Sequence, residues 1–206
     1  MDSSFLLFLA AATLIAVTPG PGIFYVAART LAGGRGEGIA SSFGTGLGGL
    51  VHVAAGALGV SAIVMASAEA FTVMKLLGAA YLIWLGAKTI IEARRPLEVG
   101  VETTGSHRAF REGIVVEALN PKTAAFFLAF IPQFVDPAGN VALQFIVLGI
   151  ISVALNTAVD VVVAFLAARV RDGMAERPTF VRRLRQTSGA VLCGLGATLL
   201  LARRGA

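Results

Sequence analysis

Four ionisable side chains, His52, Glu117, Lys122 and Asp160, lie inside long apolar stretches of this 206-residue sequence. A lysine in such a position can bind a carboxylate, and a carboxylate can bind an ammonium group or carry a proton. Placing one charge at the centre of a membrane helix costs about 2.5–3.5 kcal/mol. These residues are therefore candidates for a site that binds a small charged molecule and moves a proton.

Simpler interpretations of the three charged residues stay open. Lys122 could extend towards the lipid headgroups. Asp160 shares a helix face with Ser152 and Asn156, and it could form a structural ion pair with Lys122 or an arginine. Glu117 could lie at the cytoplasmic water boundary.

His52 belongs to a stripe of residues that repeat every four positions along one predicted helix. Its other members are glycines, which let helices approach closely. Packing is the main role that this stripe predicts, with His52 hydrogen-bonded to a neighbouring helix or taking part in proton transfer. The stripe consists of Gly44, Gly48, His52 and Gly56.

Prolines interrupt two of the apolar stretches, in "TPGPG" at 18–22 and "NPK" at 120–122. Broken helices are tolerated in a membrane where they are buried in protein or line a cavity. Carbonyls freed at a break can hold an ammonium group, and helix N-termini attract a carboxylate. The predicted substrate-binding residues are Pro19, Gly20, Pro21, Gly22, Asn120, Pro121, Lys122 and Asn156. The predicted proton-coupling residues are Asp160, Glu117 and His52.

Composition places the chain among membrane proteins. Its residues are 56% hydrophobic and 14% charged, whereas a soluble domain has about 25% charged residues. The apolar runs are long and continuous, which predicts an all-α integral membrane protein rather than a barrel. Six transmembrane segments are predicted: Phe5–Ala28, Ile39–Ala66, Phe71–Ile91, Phe110–Phe134, Val141–Ala168 and Thr187–Ala202.

Arginines mark one side of these segments. The first, third and fifth connections are arginine-rich, and the second and fourth have neither Lys nor Arg. Because positive residues mark the cytoplasmic side, both termini are predicted to lie outside the cytoplasm, although Arg203 and Arg204 run against the rule. The basic clusters are topology signals, so nucleic acid is not an expected partner.

The chain divides into two halves of three helices each. "TPG" in the first helix and "NPK" in the fourth lie about 102 residues apart. An odd number of helices in each half predicts two inverted repeats, with proline-broken first and fourth helices. A single membrane transporter domain, 1–206, is expected, with half-repeats 1–92 and 110–206 and a cytoplasmic linker at 93–109.

Several kinds of chemistry are not expected. Cys193 is the single cysteine, which argues against a thiol–disulfide reductase. One membrane histidine supports neither haem nor a metal site, and no cofactor is expected. "GGRGEG" at 33–38 lacks a phosphate-binding lysine and indicates a tight turn. Without a nucleotide-binding motif, ATP is not expected to drive this chain directly, and an ion gradient is the expected energy source.

Four motifs resemble the LysE/RhtB family of amino-acid exporters, of the lysine exporter and homoserine–threonine efflux type. They are "TPGPG", "KLLGAAYLIWLGAKTI", "NPKTAAFFLAFIPQFVDP" and "SGAVLCGLGATLLL". The resemblance implies a non-enzymatic, six-segment protein of the bacterial cytoplasmic membrane that exports amino acids by means of the proton gradient. Members often have asparagine where this chain has Gly22, an acidic residue where it has Gly49, and no carboxylate at the position of Asp160.

The resulting prediction is a secondary transporter that exports amino acids by proton antiport, driven by the proton gradient. The alternatives are an exporter of another small solute or cation and a non-transporting membrane protein. The sequence does not select the amino acid, because the candidate aromatic lining is generic: Phe24, Tyr25, Phe126, Phe127 and Phe130. A homo-oligomer is possible, since the glycine stripe could pack within one chain or between two.

Overall fold

The computed structural model describes residues 3–66, 68–94, 103–169 and 178–201. All secondary structure in these ranges is helical, as predicted. A short turn, Glu92–Arg94, follows α3, and α5 continues as a π-helical turn, Phe126–Phe130, and a 3₁₀ turn, Ile131–Phe134. The helices are α1 Ser3–Val17, α2 Pro21–Ala66, α3 Ala68–Ile91, α4 Ser106–Ala118, α5 Pro121–Ala125, α6 Val141–Arg169 and α7 Pro178–Leu201.

Among the described residues, α6 is the one helix that is long and apolar enough to cross a bilayer by itself. Two bent pairs meet the same criterion jointly: Ser4–Val17 with Pro21–Gly59, at 45°, and Ser106–Ala118 with Pro121–Phe134, at 42°. By length and composition the described chain thus has one span, or up to three if each pair is one span. Six spans stay a prediction. Large apolar side chains lie exposed along the helices, as a lipid-facing surface requires, among them Leu47, Leu58, Leu77 and Leu166.

Both proline motifs break the chain where the sequence predicts. α1 ends at Val17 and α2 begins at Pro21, so Thr18 to Gly20 lie between two helices. α4 ends at Ala118 and α5 begins at Pro121. The second break is capped by Asn120, whose side chain accepts a hydrogen bond from the Lys122 backbone N–H at 3.0 Å. Proline lacks an N–H and suits the first helical position, which explains why the second helix starts there.

A third bend lies at Gly34, inside α2. Gly34 has φ 77°, in the left-handed region that favours glycine. The tight turn predicted for "GGRGEG" is thus a sharp kink between two helical limbs, 21–33 and 35–66.

Several helices begin before the predicted segment boundaries, and α4 and α7 show this most clearly. α4 begins at Ser106 rather than Phe110, and α7 begins at Pro178 rather than Thr187. The extra turns contain arginines, which are good helix formers. Apolar composition marks the membrane-facing part of a helix and not its hydrogen-bonded ends, which accounts for both differences.

The long helix α2 packs along α4 and α6, while α3 packs against α7. The glycine stripe brings α2 and α4 into backbone contact: a Cβ at Gly48 would lie 2.5 Å from the Ile114 carbonyl oxygen. From the other side, a Cβ at Gly113 would lie 2.8 Å from the Ser41 carbonyl oxygen. This close packing, which the glycine spacing predicted, places the middle of α2 directly against the end of α4.

Candidate functional site

A small cavity of about 30 Å³ lies between the two proline breaks and the middle of α2 and α6. A water molecule needs roughly 10–15 Å³ of such volume, so the cavity in this conformation has room for about two waters. An amino acid does not fit. The lining consists of Ile15, Ala16, Thr45, Gly46, Gly49, Glu117, Lys122, Thr123, Phe126, Phe127, Ser152, Val153 and Asn156.

Lys122 joins the second break to the first. Its ammonium group donates hydrogen bonds to the carbonyl oxygens of Thr18, at 2.9 Å, and Ile15, at 3.2 Å. These carbonyls lie at the C-terminal end of α1, where the helix dipole favours a positive charge. Lys122 is 4% exposed, so it does not extend to a lipid or water boundary. The freed carbonyls that were predicted to bind a substrate ammonium are occupied by the protein's own ammonium group.

Glu117 lies in the cavity wall, one turn before the second break. Its two carboxylate oxygens accept hydrogen bonds from Asn120 Nδ2, at 2.8 Å, and Thr123 Oγ1, at 2.6 Å. The residue is 2% exposed, so its side chain is enclosed by protein rather than in contact with water in this conformation. Two donors, one on each oxygen, suit an ionised carboxylate.

Asp160 is fully buried, and it lies behind Thr45 rather than in the cavity wall. Its Oδ2 atom lies 2.8 Å from Thr45 Oγ1, and its Oδ1 atom has no hydrogen-bond partner in the part of the chain that the structure describes. The suggested ion pair with Lys122 or an arginine does not form in the described part of the chain, where the side-chain contact of Asp160 is this hydroxyl. Lys122 and Glu117 are nevertheless near enough to act on Asp160 electrostatically.

Other predicted site residues lie around this group. Asn156 lines the cavity, and His52 Nε2 lies 2.8 Å from the Glu117 carbonyl oxygen. A Cβ at Gly20 would lie 3.0 Å from Lys122 Cδ, and one at Gly22 would lie 2.6 Å from Glu117 Oε2. The glycines therefore make room for the two charged side chains.

The predicted prolines lie at the helix breaks, whereas only some of the predicted aromatic residues line the cavity. Pro19 is buried at the first break, and Pro21 and Pro121 begin α2 and α5. Of the predicted aromatic lining, Phe126 and Phe127 face the cavity. Phe24, Tyr25 and Phe130 are not among its lining residues.

A second polar group, which we call the Arg29 network, was not predicted. Arg29 forms an ion pair with Glu112, lies 3.9 Å from Glu37 Oε2, and donates a hydrogen bond to Tyr25. Arg108 donates to Glu112 Oε1 at 2.7 Å. The network consists of Tyr25, Arg29, Glu37, Arg108 and Glu112, and it ties the kinked part of α2 to the start of α4.

Residues 104 and 105 also join this network. Glu37 Oε1 accepts hydrogen bonds from the backbone N–H groups of Thr104, at 2.9 Å, and Gly105, at 2.7 Å. In the sequence Arg29 and Arg108 were topology signals, and nothing local pointed to their shared partner in Glu112. The arginine-bearing ends of α2 and α4 therefore lie on the same side of the molecule.

Thr45 and Thr123 are the functional candidates that sequence reasoning missed. Both line the cavity, and each contacts one buried carboxylate. Thr123 directly follows the "NPK" motif, and this position next to Lys122 is the signal that could have identified it. Thr45 lies in the glycine-rich part of α2, where only its polarity in an apolar helix could have singled it out. Among the described residues, no three His, Cys, Asp or Glu side chains converge in a way that could hold a metal ion.

The chain is similar to a known family and to several known membrane proteins. The family model described as LysE type translocator matches residues 13–203. An uncharacterized membrane protein of Vibrio cholerae is 32% identical over 96% of this chain and 97% of its own length. A homoserine/homoserine lactone efflux protein of Salmonella typhimurium is 31% identical over 95% of each chain. A leucine efflux protein of Klebsiella pneumoniae is 27% identical over 65% of this chain and 64% of its own. No solved structure matches.

Proposed function

Because the chain belongs to the LysE family of translocators, we propose that it exports amino acids from the cytoplasm by proton antiport. It is a membrane transporter and not an enzyme. The observation that carries the proposal is a cavity between two helix breaks that holds a buried lysine and a buried glutamate. An amino acid has a carboxylate and an ammonium group, and this pair offers one partner for each.

The substrate class follows from the relatives. Those named for efflux carry homoserine, its lactone or leucine, so we infer a substrate with an uncharged side chain. The substrate carboxylate binds the Lys122 ammonium group, which gives up its hydrogen bond to one α1 carbonyl to do so. The substrate ammonium group meets Glu117, with Asn156 beside it. The cavity must widen to admit the molecule, because about 30 Å³ holds only water.

Asp160 is the proton carrier in this mechanism, with Glu117 and His52 as the other candidates. Protonation from outside neutralises a carboxylate close to the site, weakens the hold on the substrate ammonium, and releases the zwitterion outwards. The proton leaves towards the cytoplasm when the site turns back. In this cycle Asp160 therefore binds the proton, while Lys122 binds the carboxylate of the substrate.

The proposed architecture is six transmembrane segments in two inverted halves within the bacterial cytoplasmic membrane, with both termini outside the cytoplasm. Each half runs through a short helix, a break and further long helices, and the broken pairs bend by 45° and 42°. In this repeat α1 corresponds to α4, α2 to α6 and α3 to α7. The α2–α4 contact then corresponds to the α6–α1 contact, and the α3–α7 packing corresponds to itself. These correspondences support a repeat of the two halves, and the odd number of predicted segments in each half makes that repeat inverted.

Proteoliposomes loaded with labelled homoserine, homoserine lactone, leucine and lysine test the proposal, with and without an imposed proton gradient. Gradient-driven loss of an uncharged amino acid is expected in the wild type and absent in Lys122→Ala. Lys88→Ala is the matched control, because the Lys88 ammonium lies over the Trp84 ring, 5.1 Å from its centre, and away from the cavity. Asp160→Asn should keep substrate exchange and lose coupling to the gradient.

Three results would count against the proposal. Flux of lysine alone would replace the substrate class. Flux that ignores the proton gradient would remove antiport. No flux of any amino acid from correctly inserted protein would favour another solute or a non-transporting membrane role.

A further inference from the structure

Thr45 has more acceptors than its hydroxyl has hydrogens. Its Oγ1 atom lies 2.8 Å from the Ser42 carbonyl oxygen and 2.8 Å from Asp160 Oδ2. The carbonyl oxygen can only accept, and a threonine hydroxyl has a single hydrogen to donate. If Asp160 were ionised, one of the two contacts would bring two oxygens together without a hydrogen between them. Both contacts become hydrogen bonds when Asp160 Oδ2 carries the proton, donates it to Thr45, and Thr45 donates to Ser42.

The second oxygen of Asp160 agrees with this assignment. Oδ1 is buried and has no hydrogen-bond partner among the described residues. An ionised carboxylate without a donor costs far more than a neutral carbonyl oxygen in the same place. Glu117 offers the contrast, because both of its oxygens accept hydrogen bonds.

The charges that face Asp160 lead to the same state. Lys122 and Glu117 lie near enough to act on it electrostatically, and the charges that a lysine and a glutamate carry when ionised are of opposite sign. With Asp160 neutral, the buried group balances to zero net charge. With Asp160 ionised, it keeps one uncompensated negative charge, which a low-dielectric interior penalises.

Access to Asp160 runs through the same threonine. Asp160 is fully buried and is not part of the cavity wall, whereas Thr45 is. We propose that Thr45 is the hydroxyl through which Asp160 exchanges protons with the cavity, and that Asp160 is protonated in this conformation. This inference rests on the proposed proton antiport for its role in transport.

The transfer conserves hydrogens at each atom. Outward from Asp160, the Oδ2 proton passes to Thr45 Oγ1 while the hydroxyl releases its own hydrogen to a water in the cavity. Inward, a protonated water gives a proton to Oγ1, and the hydroxyl turns from Ser42 to pass its hydrogen to Oδ2. Thr45 therefore begins and ends with one hydrogen, and it acts as a positioning and transfer residue for Asp160.

Infrared difference spectroscopy of the protein in lipid vesicles measures this directly, without any substrate. The carbonyl stretch of a protonated carboxyl group is expected at neutral pH in the wild type and absent in Asp160→Asn. In Thr45→Val the band should move to higher frequency, because its hydrogen bond to the hydroxyl is lost. After a pH jump it should also change at least about tenfold more slowly.

Thr45→Ser keeps the hydroxyl and should behave like the wild type. Thr30→Val is the matched control for a buried threonine on the same helix, since Thr30 is fully buried and its hydroxyl donates to Val26 O. An Asp160 band that is absent at neutral pH, or one that Thr45→Val leaves unchanged in frequency and rate, would overturn the inference.

Transport separates this result from the proposed function. Relative to its own rate of substrate exchange, Thr45→Val should lose gradient-driven export by at least about tenfold, whereas Thr45→Ser should keep the wild-type ratio of the two rates. If the wild type shows no gradient-driven export while the infrared results hold, antiport fails and the Thr45 route stands. If antiport holds and Thr45→Val supports it fully, the Thr45 route fails alone.

Discussion

The Arg29 network and the buried group around the cavity solve the problem of internal charge in opposite ways. In the network, cations face anions directly: Arg29 pairs with Glu112, and Glu112 also pairs with Arg108. In the cavity group, Lys122 is bound by carbonyls, Glu117 by an amide and a hydroxyl, and Asp160 by a hydroxyl alone. Among the described contacts, none of those three forms a direct ion pair.

One helix carries both arrangements. Glu112 and Glu117 lie on α4, five residues and therefore about 7.5 Å apart along its axis. A direct ion pair holds two elements together and resists a change of protonation. A charge held by neutral groups can release them for a substrate or a proton at a smaller cost. The difference indicates that the Arg29 end fixes helices, while the cavity end exchanges partners.

The largest expected effect comes from removing the cation of the cavity group. Lys122→Met leaves Glu117 without its compensating charge and two carbonyls without a donor, so we expect unfolding to become easier by about 3–5 kcal/mol. The double variant Lys122→Met/Glu117→Gln removes both charges and should recover a large part of that loss, without recovering export. Thermal unfolding in detergent measures the cycle. Strictly additive losses would show that the two charges are not coupled.

Removing the central cation of the network should cost less. In Arg29→Gln, Glu37 keeps its two backbone N–H donors and Glu112 keeps Arg108. We expect a loss of about 1.5–3 kcal/mol, the contribution of hydrogen bonds to charged groups. The same thermal unfolding experiment compares the two variants. A loss equal to that of Lys122→Met would erase the contrast between the two regions.

Arg35→Gln is the matched control for this measurement. Arg35 is exposed on the same helix, and its guanidinium lies over the Phe165 ring, 5.4 Å from the centre. Its loss should cost no more than about 1 kcal/mol.

Local chemistry made much of this arrangement predictable. Proline has no backbone donor, so the breaks at 18–20 and before Pro121 follow from the residue type alone. Ionisable groups in apolar runs identified Glu117, Lys122 and Asp160, which the structure places in one region around the cavity. The glycine stripe likewise predicted the close approach of helices around His52.

The partners were not predictable, because each depends on a contact between distant parts of the chain. Lys122 reaches carbonyls of α1, Thr45 meets Asp160, and Arg29 meets Glu112. Spacing within one helix fixes which residues share a face, but not which face another helix covers. An arginine near a helix end indicates topology, and the sequence does not show whether it also contacts a carboxylate.

The smallest expected effect separates two glycines at the first break. A Cβ at Gly22 would lie 2.6 Å from Glu117 Oε2, an atom held by Asn120, whereas one at Gly20 would lie 3.0 Å from the aliphatic Lys122 chain. Gly22→Ala should therefore stretch the Asn120–Glu117 hydrogen bond and cost about 1 kcal/mol. Gly20→Ala should cost less, because a lysine chain shifts readily by a few tenths of an ångström. Unfolding together with the concentration dependence of export measures both variants. An equal response would show that Glu117 is held no more rigidly than Lys122.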